Sequence, residues 1–516
     1  MPIFILAMDK ILVIDYGSQY NELIVRRVRD LGVYALLVDN KNDLSSFDKS
    51  EIKGIILSGG PNSVNDPASP KVNSDIFNFN VPILGICYGM QALAYYFGGT
   101  IEENKVKEYG NTEISFDLAS KLFKDMDKVS SVFMSHSDTV IKLPRNFRGI
   151  CSSKECEFAG MEDDEHKIYA LQFHPEVRNT VEGKQIISNF LFEICGVFKN
   201  WSIDNWIEDK VKEIKDFVKD EKVLLGISGG VDSSVCAVLI HKAIGDQLYP
   251  VFINHGLLRQ EEEKLVLENF KNKLGIKVYY RDASKEFLTL LKGVSSPEKK
   301  RKIIGKTFID VFKEEAKKFE GISILAQGTL YTDVVESGKG GNSEVIKSHH
   351  NVGGLPKELG FKLLEPLNEL YKDEVRELGR KLGLDESFVS RQPFPGPGLA
   401  IRIIGSVSKR KLDIVRKSDA IFQEEIKKAG LDKKIWQYFA VLTNTKTVGV
   451  MGDNRTYLYT VALRAVDSID GMTAKAYPIP YDVLEKASSR IVNEVPYVNK
   501  VVYDITSKPP STIEFE

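Results

Sequence analysis

Only five cysteines occur in the 516-residue chain, at positions 87, 151, 156, 195 and 236. So few, so widely scattered, exclude a disulfide framework, and Cys151 and Cys156 lack the short paired spacing of a zinc site. No stretch approaches the roughly 18 consecutive apolar residues that a membrane helix needs, and the apolar N-terminus has no basic segment ahead of it. An excess of either charge is missing too: 70 Lys and Arg stand against 72 Asp and Glu, a formal net charge of −2. Without a global basic field, neither nucleic acid nor a membrane is an expected partner. There is no internal repeat and no low-complexity tract. What remains is an ordinary globular composition, 43% hydrophobic and 28% charged, and a length that suggests about three domains. A cytoplasmic location is the expectation.

What the chain does have is alternation. Ile11–Ile14, Gly54–Leu57 and Pro82–Ile86 read as buried strands, and Asn21–Asp30 and Tyr88–Phe97 as helices closed near glycines. The same rhythm resumes from Lys222 to about Leu384. Such alternation predicts parallel sheets covered on both faces, with functional groups at the carboxyl ends of the strands. Beyond the proline- and glycine-dense Gln392–Gly398 the pattern changes to a long helix, about Lys409–Lys428, and β-rich segments. The expected fold is therefore two parallel-sheet α/β domains, 1–200 and 201–395, followed by a smaller α+β domain, 396–516.

Cys87 lies in Gly85-Ile86-Cys87-Tyr88-Gly89, between a strand and a helix. A thiol on such a turn projects from the sheet and feels the positive helix N-terminus. In Gln172-Phe173-His174-Pro175-Glu176 the histidine supplies a general base whose far nitrogen Glu176 can hold. Ser58-Gly59-Gly60-Pro61 is a second glycine loop able to bring a backbone N–H to a reacting carbonyl. Cys, His and Glu in these settings point to acyl transfer through a thioester.

The second candidate is Ser228-Gly229-Gly230-Val231-Asp232-Ser233-Ser234, between the strand Val223–Ile227 and an apolar helix. Small residues there let several N–H groups and hydroxyls face one phosphate chain. No lysine follows the glycines, so this is not a Walker loop. Gly305-Lys306-Thr307 is a decoy, because position 300 holds lysine and not glycine. The Ser228–Ser234 run resembles the loop of a family that cleaves ATP to an adenylate and pyrophosphate, the N-type ATP pyrophosphatases. That resemblance implies Mg²⁺, with Asp232 as the metal-side carboxylate, and cations drawn from Arg301, Lys339, Lys347 and Lys372. The segment Glu336–Asn342 reads as a closing lid. His349 and His350 lack an evident third ligand, so no zinc site is read there.

These motifs carry a resemblance. Leu57–Pro61, Gly85–Gln91 and Phe173–Glu176 are similar to the class I glutamine amidotransferase domain. That implies Cys87, His174 and Glu176 as a triad, Gly60 and Tyr88 as oxyanion donors and Gln91 as a glutamine contact. Ser228–Ser234 resembles the pyrophosphate loop of the N-type ATP pyrophosphatases, which implies ATP as co-substrate. Together with Ala326–Ser337, His349–Pro356, Gln392–Gly398 and the tail Tyr503–Glu516, the whole chain resembles the GMP synthetase family. That resemblance implies xanthosine 5′-monophosphate (XMP) as acceptor of glutamine nitrogen, and a homodimer through the segment from about residue 399. It also implies Gly328 near ATP, Asp333, Glu336, Lys339 and Lys347 in the lid and adenylation, and Arg402, Gln437, Lys508, Ile513 and Glu514 on the nucleotide. Phe515, Lys500 and Arg178 depart from the family's usual Trp, Arg and Thr. A sulfurtransferase acting on tRNA would need a basic surface and a cysteine pair where only Cys236 stands. A nucleotide sensor would need a broken triad or loop, and both are whole.

Overall fold

The computed structural model describes residues 9–338, 360–468, 471 and 473–516. It divides into two compact units, one ending at Asn205 and one running from Trp206 to Glu516.

The first unit is built on a nine-stranded sheet: β1 (Lys10–Asp15), β2 (Tyr34–Asp39), β3 (Ile52–Leu57), β4 (Ile83–Ile86), β5 (Thr100–Phe116), β6 (Val129–Lys142), β7 (Arg148–Ser152), β8 (Gly160–Asp163) and β9 (Ile168–Leu171). Their order is β2-β1-β3-β4-β9-β8-β7-β5-β6. The first five are mutually parallel, with helices such as Asn21–Asp30 and Tyr88–Tyr96 as crossovers. Their near-continuous apolar runs reflect burial on both faces. The remaining four extend the sheet in antiparallel fashion. This extension was not foreseen in the strand–helix rhythm. β5 and β6 mix polar and charged residues with apolar ones, as strands buried mainly on one face do, and short runs of polar alternation give a weak signal.

Adjacency in this sheet matters. β3, β4 and β9 are neighbours, so the turns after their carboxyl ends, bearing Gly59–Gly60, Cys87 and His174, converge with no long-range loop. Close packing enforces that geometry. A Cβ on Gly89 would lie 2.4 Å from the Leu57 carbonyl oxygen, and one on Gly85 would lie 2.8 Å from the Gly89 carbonyl. These glycines give room for the helix to approach the sheet; the positive φ of the turn falls on Cys87 itself, at +52°.

The second unit holds a parallel sheet of β10 (Lys222–Ile227), β11 (Leu248–Asn254), β12 (Tyr279–Asp282), β13 (Ile322–Ala326) and β14 (Lys362–Leu364). Its order, β12-β11-β10-β13-β14, reverses direction at β10, so the crevice beyond β10 and β13 is a topological switch point. The loop Ser228–Gly230 and Gly328 both lie there. Downstream come the helices Lys409–Lys428 and Tyr481–Glu494 with β15 (Gln437–Met451), β16 (Asn454–Asp467), β17 (Lys475–Ala476) and β18 (Val498–Asp504). β15 and β17 run antiparallel to β16, and β18 parallel to it. One apolar cluster, including Leu224, Phe287, Phe312, Leu399, Phe422, Leu463 and Ile491, runs through both layers. The segments on either side of Gln392–Gly398 thus share a core. Gly305-Lys306-Thr307 lies within the helix Pro297–Ala316, as a decoy should.

Gly89→Ala is expected to destabilise the protein by about 1–3 kcal/mol, the usual cost of overpacking. Gly305, in mid-helix with open space where its Cβ would be, offers the contrast: Gly305→Ala is expected to stabilise by about 0.5–1 kcal/mol. Denaturant unfolding of the two variants, with opposite signs, checks the packing argument.

Candidate functional site

Cys87 occupies the N-cap of the helix Tyr88–Tyr96 with φ +52° and ψ −107°, a conformation that side chains rarely adopt. Its N–H donates to the Leu171 carbonyl at 2.7 Å, and the Gly89 N–H donates to Ser58 at 3.1 Å, which fixes the turn from both neighbouring strands. The thiol lies 3.8 Å from both the Ser135 carbonyl oxygen and the Gln172 amide nitrogen.

His174 and Glu176 are both buried. The imidazole Nδ1 donates to Glu176 Oε1 at 2.8 Å, which leaves Nε2 as the nitrogen for proton exchange. Burial alone would push this histidine down. The Glu176 carboxylate and the neighbouring Cys87 outweigh it and hold the imidazole well above its ordinary value. The ring is fixed further: its own N–H and carbonyl are held by Phe133 and Thr180, and Tyr20 packs edge-on at 5.2 Å. A Cβ on Gly59 would sit 3.1 Å from His174 Cε1 and 3.5 Å from Cys87 Cβ, so the three turns meet at one point. Gly60 packs against Tyr16 and the Tyr88 ring. Gln91 donates to the Asp138 carbonyl at 2.8 Å and approaches Gln172 Oε1 at 3.3 Å. Gln172 and the β6 segment Ser135–Asp138 were missed by sequence reasoning. Gln172 is two residues from His174 and was legible; β6 meets the site only through sheet pairing.

In the second unit, β10 runs into a loop in which Gly229 has φ +80°. Ser228 Oγ accepts from the Gly230 N–H at 3.2 Å and lies 3.0 Å from Ser233 Oγ, while Ser234 Oγ donates to the Gly230 carbonyl at 2.8 Å. The helix Val231–Ile244 starts here, its N-terminal amides facing the crevice side of the loop. A Cβ on Gly328 would come 3.1 Å from the Asp232 carbonyl carbon, so the segment after β13 passes close against the start of this helix. Lys372 Nζ holds both Asp232 carboxylate oxygens, at 2.5 and 2.6 Å. Arg391, not singled out from the sequence, donates to the Gly229 carbonyl at 2.6 Å and to Glu262 at 2.7 Å.

Arg301 was expected beside this loop. It instead donates to the Glu516 main-chain oxygen at 2.5 Å, next to Lys300, which pairs with the Glu516 side chain. The reason is helical geometry: Arg301 is on the helix Pro297–Ala316, against which the C-terminal tail lies. Asp333 accepts from the Leu330 N–H at 3.0 Å at the start of the helix Tyr331–Gly338, which also contains Glu336. Lys339, Lys347, His349 and His350 lie outside the described residues.

A third cluster involves the tail. Arg402, fully buried, donates to both Glu514 oxygens at 2.9 and 3.1 Å and stacks 4.1 Å from the Phe439 ring centroid. Gln437 donates to Glu514 Oε1 at 2.9 Å. Ile513 is buried against Phe439, Val441 and Ala462, and its carbonyl accepts from Arg464 at 2.9 Å. Lys508 Nζ donates to the Gly471 carbonyl at 2.7 Å. Sequence reasoning missed Arg464 and Arg259. Arg259 Nε lies 3.5 Å from Asp419 Oδ2, and its buried Nη2 has no hydrogen-bond partner among the described residues. It stacks 4.5 Å from the Phe394 ring centroid, beside Arg402. Its signal was its place, five residues beyond the carboxyl end of β11.

Comparison with known proteins matches residues 12–194 to the class-I glutamine amidotransferase model, 201–305 to the NAD synthase model and 424–515 to the GMP synthase C terminal domain. The GMP synthase [glutamine-hydrolyzing] of Limosilactobacillus reuteri is 56% identical over 511 residues, covering 99% of each chain. That of Lacticaseibacillus rhamnosus is 56% identical over 98% of each chain. The chain belongs to the glutamine-hydrolysing GMP synthase family. GMP synthase membership accounts for two separate active-site architectures in one polypeptide. Among the described residues no helix is long and apolar enough to cross a membrane.

Because His174 is raised, its pairing with Glu176 contributes stability that is complete below about pH 6.5, the unfolded value, and is lost as pH rises through the elevated folded value. Glu176→Gln removes that contribution. The gap in melting temperature between wild type and Glu176→Gln should therefore be larger at pH 6 than at pH 9; an unchanged gap would contradict the pairing.

Proposed function

We propose that the protein makes GMP from XMP, ATP and glutamine. Cys87 attacks the glutamine side-chain carbonyl, and His174 moves a proton to the departing ammonia. The thioester is then hydrolysed by water that His174 activates, with Glu176 holding the imidazole orientation. Gly60 and Tyr88 N–H groups stabilise the oxyanion, and Gln91 steadies the β6 carbonyl against which glutamine lies. The observation that carries this half is the meeting of Cys87, His174 and Gly59 after three adjacent parallel strands.

At the second site the XMP O2 oxygen attacks the α-phosphorus of ATP, releasing pyrophosphate; ammonia then displaces AMP from C2. The Ser228–Ser234 loop binds the pyrophosphate portion through N–H groups and hydroxyls, with Lys372 supplying positive charge. The half-exposed Asp232 carboxylate at a helix N-terminus, beside two serine hydroxyls, is a donor set of hard oxygens that fits Mg²⁺. When bound, Mg²⁺ would neutralise charge on the phosphates. Arg402, Gln437, Lys508, Ile513 and Glu514 hold the nucleotide, and we add Arg259, whose unpartnered Nη2 suits an anion or carbonyl. Asp333, Glu336, Lys339 and Lys347 belong to the part closing over the adenylation step, and 396–516 forms the dimer contact. The domains 1–200, 201–395 and 396–516 are the functional divisions of this reading, and the cytoplasm is its setting.

Cys87→Ala is expected to abolish glutamine-dependent GMP formation, by at least about 10³-fold, while ammonia-dependent formation persists. Asp232→Ala is expected to remove XMP-driven ATP–pyrophosphate exchange. AMP and GMP measured with either nitrogen source test both; loss of both activities in Cys87→Ala would refute two independent sites.

A further inference from the structure

Outside the triad, the first unit buries a second group of reactive side chains. Glu108 on β5 and His136 on β6 are register partners across an antiparallel pair, and Cys156 follows β7. One ligand atom from each falls within 4.8 Å of the others, and all three residues are buried. His136 Nε2 and Glu108 Oε2 lie 3.3 Å apart, an ion pair only when the imidazole is protonated, and among the described residues neither atom has a hydrogen bond of good geometry. The remaining atoms of the two residues are committed. His136 Nδ1 donates to the Asp138 carbonyl at 3.0 Å, and Glu108 Oε1 accepts from Ser153 Oγ at 2.8 Å.

This is the pattern that metal ligands adopt. A ligating histidine donates its other N–H to a carbonyl, which leaves the second nitrogen's lone pair directed inward, and a ligating carboxylate has its other oxygen held. In a protein interior two acceptor atoms left facing one another are costly unless a proton or a cation lies between them. Two ligand atoms about 2.0–2.1 Å from a tetrahedral cation stand roughly 3.3 Å apart, which matches the Nε2–Oε2 separation. Nitrogen, oxygen and sulfur donors together select a borderline cation over Mg²⁺ or Ca²⁺.

We propose that Glu108, His136 and Cys156 form a three-ligand site for a zinc-type divalent cation, distinct from the Mg²⁺ associated with ATP. Sequence spacing hides it, because its ligands come from three separate segments. The site is connected to the glutaminase centre, since the Asp138 carbonyl accepts from both His136 and Gln91, and Ser135 abuts the Cys87 thiol. A bound cation therefore braces the β6 segment against which glutamine is held.

The test uses the full chain, freed of metal by chelator dialysis and titrated with Co²⁺, then Zn²⁺. One equivalent of Co²⁺ should give a thiolate charge-transfer band that Zn²⁺ abolishes, and the band should persist in Cys87→Ser. Cys156→Ser should lose the band, and His136→Gln should weaken Zn²⁺ binding at least about tenfold. Zn²⁺ should raise the melting temperature of wild type but not of Cys156→Ser; matching circular dichroism of the metal-free proteins verifies folding. Absence of the band in wild type would mean that a proton, not a cation, bridges the pair, and would overturn the proposal. So would survival of the band in Cys156→Ser, or its loss in Cys87→Ser alone.

Discussion

The turn at Cys87 is the constraint on which the first unit depends. A non-glycine residue at positive φ costs on the order of 1–2 kcal/mol, and here the surroundings leave no alternative. Leu171 and Ser58 accept the N–H groups of Cys87 and Gly89, and two missing Cβ atoms let the helix press against β3 and β4. The second unit solves a similar strand-to-helix problem with Gly229 at φ +80°, where a glycine bears positive φ without strain. On the proposed roles of the two turns, the difference follows from chemistry. A nucleophile must carry a side chain at the apex of the turn, whereas a phosphate cradle works through backbone N–H groups and is obstructed by one. Strain is present where reactivity requires it and absent where it does not.

Legibility in the sequence followed the same division. Cys87, His174, Gly60 and the Ser228–Ser234 loop were readable because each lies immediately beyond a buried strand, in one short stretch of backbone. Asn21–Asp30 and Lys409–Lys428 were readable as helices from their apolar spacing, down to their ends. The antiparallel extension was not, because β5 and β6 bury mainly one face and intersperse charge with apolar residues. Arg301 was misplaced for a related reason. A cation's position on a helix says which neighbours it can reach only once the packing of that helix is known, and the tail, distant in sequence, reached it first.

The same limitation explains why Glu108, His136 and Cys156 form no visible motif. Cross-strand pairing in a sheet juxtaposes residues separated by arbitrary lengths of chain, while metal motifs that can be read from sequence place ligands on one turn or hairpin. A buried imidazole nitrogen facing a buried carboxylate oxygen is a structural signal with no counterpart in spacing. It emerges only from accounting for every polar atom in the interior.

Buried cations give the tail its importance. Arg402, Arg464 and Lys300 are all fully buried, and each pairs with tail groups: Glu514, the Ile513 and Thr512 carbonyls, and Glu516. Leaving one unpaired costs several kcal/mol, because a desolvated charge then has no partner. The last residues are therefore held by the core rather than loosely appended to it. One consequence bears on recognition. Gln437 and Arg402 converge on the same Glu514 oxygen, Oε1, at 2.9 Å each. A nucleotide that engages either side chain must share or displace that oxygen. On the proposed nucleotide role of this cluster, binding is linked through Glu514 to the docking of the tail, and a substitution that loosens the tail should weaken nucleotide binding even where it touches no nucleotide.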